Sequence, residues 1–372
     1  MVDLKGQHDK ISEEVNKGIQ DVINSTSFIN GPQVKEFNKN LSDYHGGVNV
    51  VSCANGTDAL QIALMSLDLQ PGDEVIVPVH TYVATAEVIA LLRLKPVFVD
   101  VHPELFTIDI NQIEKKITKN TKAIVPVHLY GQCADMETIM RIASKYNLYV
   151  IEDTAQAIGA IYKFANGKTA IAGTIGDIGT TSFFPSKNLG CYGDGGAMFF
   201  KDEELAKKCH MIANHGQSVK YHHDIIGCNS RLDSIQAAIL NVKLKYIDDY
   251  SGARQKAASI YNELLKDIPG IKTPKVSDSS THVYHQYTLI LDESINRNDL
   301  QSFFKSKEIP SMIYYPIPLH KQKAYEKELV SGESFPVTER LSNTVLSLPI
   351  HTELTREEQE FVVSSLIEFL NK

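Results

Sequence analysis

The chain has 372 residues, 37 Lys and Arg against 45 Asp and Glu for a formal net charge of −8, and a 43% hydrophobic content. At roughly 100–200 residues per domain this fits two domains with room for a large core. Mild acidity without a basic stripe argues against a nucleic-acid partner. The start, MVDLKGQHDKI, lacks the basic-then-apolar layout of a secretion signal, and stretches such as VATAEVIALLRL are too short and interrupted to span a bilayer. Cys53, Cys133, Cys191, Cys209 and Cys228 are scattered without a C-x-x-C pair, so free buried thiols are expected. These features predict a cytoplasmic globular protein with no membrane partner.

From about Asn49 to Val150 short apolar runs alternate with helically spaced segments. VNVVSC is followed by TDALQIALMSL, DEVIVPV by VATAEVIALLRL, and KPVFVDV by NQIEKKI; TKAIVPVHL, METIMRIASKYN and LYVIED continue the beat. Continuous apolar strands separated by helices predict an α/β fold with a parallel sheet covered on both faces. Such sheets bind ligands at the carboxyl ends of their strands, where CANGTDAL and EDTAQAIGA lie. Further on, GGAMFF reads as a strand and DEELAKKCHMIANHG as a helix. A long, bent helical run from Ser230 to Ile268 leads out of the first domain, dividing the chain at 1–246 and 247–372. HVYHQYTLIL (strand-like), RNDLQSFFKSKEI, SMIYYPIPLH and the closing helix TREEQEFVVSSLIEFLN then form a smaller C-terminal α+β unit.

Three segments carry candidate chemistry. In CANGTDAL, Gly56 permits close approach and the helix start offers free N–H groups, a phosphate cradle; the plainer alternative is an ordinary helix cap by Thr57 or Asp58. In EDTAQAIGA, Asp153 ends an apolar strand, where it can hold a cationic ring nitrogen, cap a following helix or, least favoured, ligate a metal. In SFFPSKNLGCYGDGGA, Lys187 follows an apolar approach that would keep its amine dry, and the glycines at 190, 193, 195 and 196 would let backbone and a flat cofactor come close. A solvated surface lysine fits this setting poorly. YKFANGKT ends like a phosphate loop but opens on tyrosine, and the adjacent histidines of YHHDIIGC suit a surface or substrate-facing loop better than a metal. No metal site is expected. A phosphate cradle, a strand-end carboxylate and a lysine 34 residues beyond it are the set that pyridoxal phosphate requires. Its phosphate needs N–H donors, its ring nitrogen an acid, and its aldehyde a lysine amine.

NGTDAL, VPVHTYVATAEVI, VPVHLYGQCADM, EDTAQAIGA, TSFFPSKNLGCYGDGGA, NSRLDSIQAAIL and YYPIPLH, in this order over nearly the whole chain, resemble the sugar aminotransferase family named after DegT, DnrJ, EryC and StrS. The resemblance implies the fold-type I architecture of pyridoxal-phosphate enzymes: a large domain with a mainly parallel seven-stranded sheet plus the smaller C-terminal domain. It also implies a homodimer with active sites at the subunit interface. Lys187 would hold the cofactor as a Schiff base and then carry the proton. Asp153 would pair with the pyridinium nitrogen, Gln156 touch the ring hydroxyl and Tyr82 stack on the ring. Gly56, Thr57 and Ser182 would hold the phosphate, joined by Asn229 from the neighbouring subunit. Arg231, Tyr314, Tyr315 and His320 would lie near a nucleotide-sugar substrate.

Relatives in this family that dehydrate their sugar carry histidine in place of the lysine, so Lys187 implies transamination, with glutamate as donor. The motifs are most similar to enzymes that aminate carbon 3 of UDP-2-acetamido-2-deoxy-3-oxo-glucuronate for surface polysaccharide and lipopolysaccharide O-antigen synthesis. One departure is that Tyr314 stands where those enzymes carry histidine. The alternatives are a dTDP-3-oxo-6-deoxyhexose aminotransferase and, from another class, a non-catalytic regulator that keeps the cofactor fold. Against the regulator stands Lys187, which such a protein does not need.

Overall fold

Seven strands form the sheet that the alternation predicts: β1 (Asn49–Cys53), β2 (Glu74–Pro78), β3 (Lys95–Val99), β4 (Thr121–Ile124), β5 (Tyr149–Asp153), β6 (Ile178–Ser182) and β7 (Gly196–Phe200). The computed structural model describes residues 1–325 and 333–372. The strands lie in the order β1-β7-β6-β5-β4-β2-β3. All neighbours pair in parallel except β7, which runs antiparallel to both β6 and β1. The exception has a local cause. A parallel pair needs a crossover, usually a helix, whereas residues 183–195 turn back at once and set Gly196 opposite Ser182. That loop therefore sits at the carboxyl end of β6, and it carries Lys187.

Side chains along β2 alternate between two cores. Val75 and Val77 join the core that holds Leu60, Ile62 and Ile89, supplied by α3 (Gly56–Ser66) and α4 (Ala84–Leu91). Ile76 joins Ile124, Val150, Ile139 and Ile142 on the other face, the last two from α5 (Met136–Tyr146). At the amino end, α1 (Leu4–Ser25) and α2 (Pro32–Tyr44) pack on α6 (Ser234–Leu244) through Ile11, Val15, Ile239 and Val242 and through Phe37, Leu41 and Leu240. The second of these clusters includes Phe183 and Leu189, so α2 and α6 underpin the Lys187 loop.

The long helical run is two helices. It breaks at residues 245–246, and α7 (Ile247–Leu265) starts with Asp248 and Asp249 in its first turn, acids that suit a helix N-terminus. Beyond it, β8 (Ile271–Lys272), β9 (Tyr287–Leu291) and β10 (Val345–Leu348) form an antiparallel sheet with a core of its own around Tyr261, Leu289, Leu300 and Leu348. The strand-like segment HVYHQYTLIL is a strand only from Tyr287 onward. Its first part turns aside because its backbone bonds go elsewhere. The Val283 N–H donates to the Gly131 carbonyl (2.8 Å) and the Gln286 N–H to that of Tyr130 (3.2 Å). YKFANGKT is an antiparallel hairpin, all five cysteines are free, and no helix among the described residues is long and apolar enough to cross a membrane.

One buried polar knot fixes the strand end that presents Asp153. Glu152, fully buried, accepts from His128 Nε2 (2.9 Å) and from the N–H groups of Gly173 (3.0 Å), Ile175 (2.7 Å) and Gly176 (2.7 Å). Burial pushes its carboxyl up, but the His128 bond and charge and the backbone donors outweigh burial and leave it below the usual carboxylate range. Its contribution to stability is therefore complete above about pH 5 and lost as pH falls through the folded value. Glu152→Ala is expected to cost about 3–5 kcal/mol in urea unfolding near neutral pH and to flatten the acid limb of the stability curve. A change under about 1 kcal/mol would show the knot to be inert.

Candidate active site

A cavity of about 670 Å³ opens at the carboxyl ends of β1, β2, β5 and β6, lined among others by Gly56, Thr57, Tyr82, Asp153, Gln156, Ser182, Lys187, Tyr314 and Tyr315. Four loops meet there because the parallel strands that precede them end on one side of the sheet. At one end lies a cradle of backbone. Asn55 caps α3, its side chain accepting from the Asp58 N–H at 2.8 Å; the cap is thus Asn55, not Thr57 or Asp58. Among the described residues the N–H groups of Gly56 and Thr57 have no acceptor, as helix starts require of some donors. A Cβ on Gly56 would stand 2.6 Å from the Ser182 Cβ, so only glycine lets α3 approach the Ser182 hydroxyl this closely.

Lys187 reaches into the cavity from the turn after β6. Burial pushes its amine down to about 8, and the Asp153 charge works in the opposite direction. Asp153, 6% exposed, is tied at both oxygens: Oδ2 accepts from the Thr85 hydroxyl (2.9 Å) and Oδ1 from the Ala155 N–H (3.1 Å). Residues 154–159 form turns and no helix, so the capping alternative for Asp153 is overturned. The dry wall around Lys187 also differs from expectation. Phe183 is buried against Phe37, whereas Phe184, 52% exposed, does line the cavity, together with His285 and Gln286. Nor do the glycines make room for a cofactor. Gly190 admits the Pro185 carbonyl and Gly196 the Asn55 carbonyl, since a Cβ at either would come within 2.4 Å of those oxygens. The loop is further held by a second lysine, which is buried. Lys243 donates to the Gly190 carbonyl (2.8 Å), and burial pushes its amine down to about 8, opposed by the nearby Cys191 side chain.

Tyr130 ties the walls together. Its N–H donates to Gln156 Oε1 (2.8 Å), its hydroxyl bonds the Tyr314 carbonyl, and His80 Nε2 lies 3.2 Å from the same hydroxyl. Gln156 Nε2 in turn donates to the Tyr315 hydroxyl (3.2 Å). Tyr82, 56% exposed, faces Tyr315 with ring centroids 6.2 Å apart. The 282–286 segment is pinned beside Lys187 because Asn188 Nδ2 donates to the Val283 carbonyl (2.8 Å) and Arg254 Nη1 to that of Tyr284 (3.0 Å). Thr85 lies inside the motif VPVHTYVATAEVI but nothing in it marks this residue out, and His285, Gln286 and Arg254 carry no motif signal; their roles arise from long-range packing.

Three expected site residues lie elsewhere in the single chain. Asn229 is exposed. Arg231 lines a separate hollow with Lys35, Asn38 and His210. His320 is buried, 3.1 Å from Glu339 Oε1 and against the Phe335 ring. Ser230 connects the first two to the cradle, its hydroxyl accepting from the Ala54 N–H (3.0 Å). His222 and His223 form the exposed strand of a short hairpin.

Residues 9–367 match the model of the DegT/DnrJ/EryC1/StrS aminotransferase family. A UDP-2-acetamido-2-deoxy-3-oxo-D-glucuronate aminotransferase of Pseudomonas aeruginosa is 47% identical over 98% of both chains. A protein of Geobacillus stearothermophilus described as a pleiotropic regulatory protein is 45% identical over 99% of this chain and 98% of its own. The crystal structure of NtdA from Bacillus subtilis, with its cofactor PMP bound, superposes with a TM-score of 0.89 at 35% identity, covering 98% of this chain and 82% of that one. The chain belongs to the DegT/DnrJ/EryC1/StrS aminotransferase family, whose cofactor is pyridoxal phosphate, and it has the fold of those enzymes. The cavity suits that cofactor: free N–H donors at Gly56 and Thr57, an anchored carboxylate at Asp153 and a depressed amine at Lys187.

In chain stripped of cofactor, acylation of Lys187 by a water-soluble reagent, followed by peptide mass mapping, is expected to be half-maximal near pH 8, against about 10.4 for surface lysines. Asp153→Asn removes an attraction that keeps the proton on, so the midpoint moves down. A midpoint that stays or rises in the variant would contradict the pairing.

Proposed function

We propose that the chain transfers an amino group from glutamate to carbon 3 of a nucleotide-linked keto sugar, UDP-2-acetamido-2-deoxy-3-oxo-glucuronate. The carrying observation is a cavity that unites an amine at 187, a carboxylate at 153 and a phosphate cradle at 56–57, in a chain 47% identical over its length to an aminotransferase of that sugar. The reading extends to surface polysaccharide or lipopolysaccharide synthesis in the cytoplasm. Residues 1–246 are taken as the cofactor-binding domain and 247–372 as the smaller one.

Bound pyridoxal phosphate supplies an aldehyde that accepts nitrogen and a ring that withdraws electrons. The chain does the rest. Gly56 and Thr57 N–H groups and the Ser182 hydroxyl hold the phosphate. Tyr82 covers the ring, and Gln156 touches its hydroxyl. Asp153 Oδ atoms keep the proton on the ring nitrogen by opposite charge. Lys187 Nζ, pushed down to about 8 by burial, would take up the proton that leaves the donor's α-carbon and, in the second half of the reaction, deliver a proton to carbon 3 of the sugar as it gains nitrogen. The walls from Tyr130 and residues 282–286 keep bulk water from these atoms.

We take the working enzyme as a homodimer. Among the described residues, the ionisable lining of the cavity includes Asp58, Asp153 and Asp194 against Lys187 alone among lysines and arginines, which is the wrong balance for a cofactor phosphate and a sugar diphosphate. Arg231, Lys220 and the exposed Asn229 belong to a segment that also presents Ile226 at 88% exposure and Tyr221 at 79%. A second copy that buries these residues brings Asn229 and cations to its neighbour's cavity. Tyr314, Tyr315 and Arg231 would then contact the sugar. His320, held by Glu339, would act from behind Phe335.

The lack of an arginine among the described residues that line the cavity favours a second reading, a dTDP-3-oxo-6-deoxyhexose acceptor with no carboxylate to hold. The regulator reading gains from the Geobacillus relative's description and loses from the placement of Lys187. Protein carrying nitrogen from glutamate is expected to release it fastest to the 3-keto uronate among UDP- and dTDP-linked 3- and 4-keto sugars. Release only to a dTDP-deoxyhexose would transfer the assignment to the second reading. Lys187→Ala is expected to lower turnover at least 1,000-fold, taking about 4 kcal/mol from transition-state stabilisation. A variant that kept turnover would remove the transaminase reading altogether.

A further inference from the structure

Behind Asp153 runs a chain of hydroxyls. Thr85 lies in the first turn of α4 and is 1% exposed, and Thr81 is 2% exposed. The Thr85 hydroxyl donates to Asp153 Oδ2 at 2.9 Å, and Thr81 Oγ1 lies 3.2 Å from Thr85 Oγ1. A hydroxyl has one proton to give. Thr85 gives its proton to the carboxylate, so Thr81 is the donor in the other bond. The order Thr81, Thr85, Asp153 is therefore fixed, and each bond polarises the next towards the carboxylate.

Two strand ends are bridged by this chain. Thr85 follows β2 and Asp153 ends β5, with β4 between them in the sheet. The Ala155 N–H holds the other oxygen at 3.1 Å, so rotation about the carboxyl bond is blocked and one lone pair on each oxygen stays free.

We propose that Thr85 is a positioning residue for Asp153, backed by Thr81, and that it sets how strongly the carboxylate binds a protonated ring nitrogen. This rests on the reading that Asp153 faces that nitrogen. Thr85 itself does not touch the cofactor. With its hydroxyl gone, Asp153 keeps only the Ala155 N–H among these donors and can turn away from the ring or take up a proton.

The test compares two probes on the full chain stripped of cofactor: pyridoxal phosphate, and its analogue with a C–H in place of the ring nitrogen. Thr85→Val keeps shape and volume and removes the donor. It is expected to weaken pyridoxal phosphate about tenfold and the analogue less than twofold. Thr85→Ser restores the donor and returns pyridoxal phosphate binding to within about threefold. Thr81→Val, one bond further away, gives a smaller loss of the same selectivity. Equal loss of both probes in Thr85→Val, or no loss of either, overturns the proposal. Should Thr85→Val fail to fold, Thr81→Val and Thr85→Ser decide: a Thr81→Val that binds both probes like the parent, or a Thr85→Ser that loses both equally, overturns it. Asp153→Asn is the control for the underlying reading. If that variant does not discriminate the probes, Asp153 does not face the ring nitrogen, whatever Thr85 does.

Discussion

An amine and a carboxylate face one cavity, and the rest of the molecule is arranged around that opposition. Burial alone pushes the Lys187 amine towards neutrality, and the Asp153 charge restores part of its hold on the proton. The two tendencies leave it at about 8, where the neutral and charged forms are both populated near physiological pH. A lysine in open solvent is almost wholly protonated there and neither attacks a carbonyl nor accepts a proton. Without the carboxylate, the amine loses the charge that holds its proton.

The scaffold holds these two groups in register by polar ties at the strand ends. Glu152, adjacent to Asp153 but on the opposite face of the strand, is saturated by His128 and three backbone donors, so β5 ends in one fixed position. The Lys187 loop is closed by the pairing of Ser182 with Gly196, by Lys243 on the Gly190 carbonyl and by Asn188 on the 282–286 segment. That last bond joins the cavity to the part of the chain built on β9. Movement of the smaller sheet therefore moves the wall next to the reactive amine.

Much of this was legible in the sequence, and the reason is locality. Alternating apolar and helical segments specify a parallel sheet, and strand-end motifs such as NGT and ED mark its ligand-binding rim, so Gly56, Thr57, Asp153 and Lys187 could be found from their neighbours in the chain. What stayed hidden depends on residues far apart in sequence. Whether Phe183 or Phe184 faces Lys187 is decided by α2, whose Phe37 takes Phe183 into the core. Gly190 and Gly196 serve backbone crossings, against Pro185 and Asn55, that no local pattern discloses. HVYHQ alternates like a strand, yet Tyr130 and Gly131 draw its backbone away from the sheet. Arg231 and His320 come from motifs that the single chain keeps apart from the cavity, a separation set by long-range packing.

Two lysines, Lys187 half-buried and Lys243 fully buried, flank the same loop, and both are pushed down to about 8. Only one of them can see Asp153, so the account turns on which one binds the aldehyde. Borohydride reduction of the chain loaded with pyridoxal phosphate, followed by peptide mass mapping, reads this out directly. The pyridoxyl group is predicted on Lys187 alone, in close to one equivalent per chain. A group on Lys243, or one spread over surface lysines with Lys187 unmodified, would contradict the account at its centre.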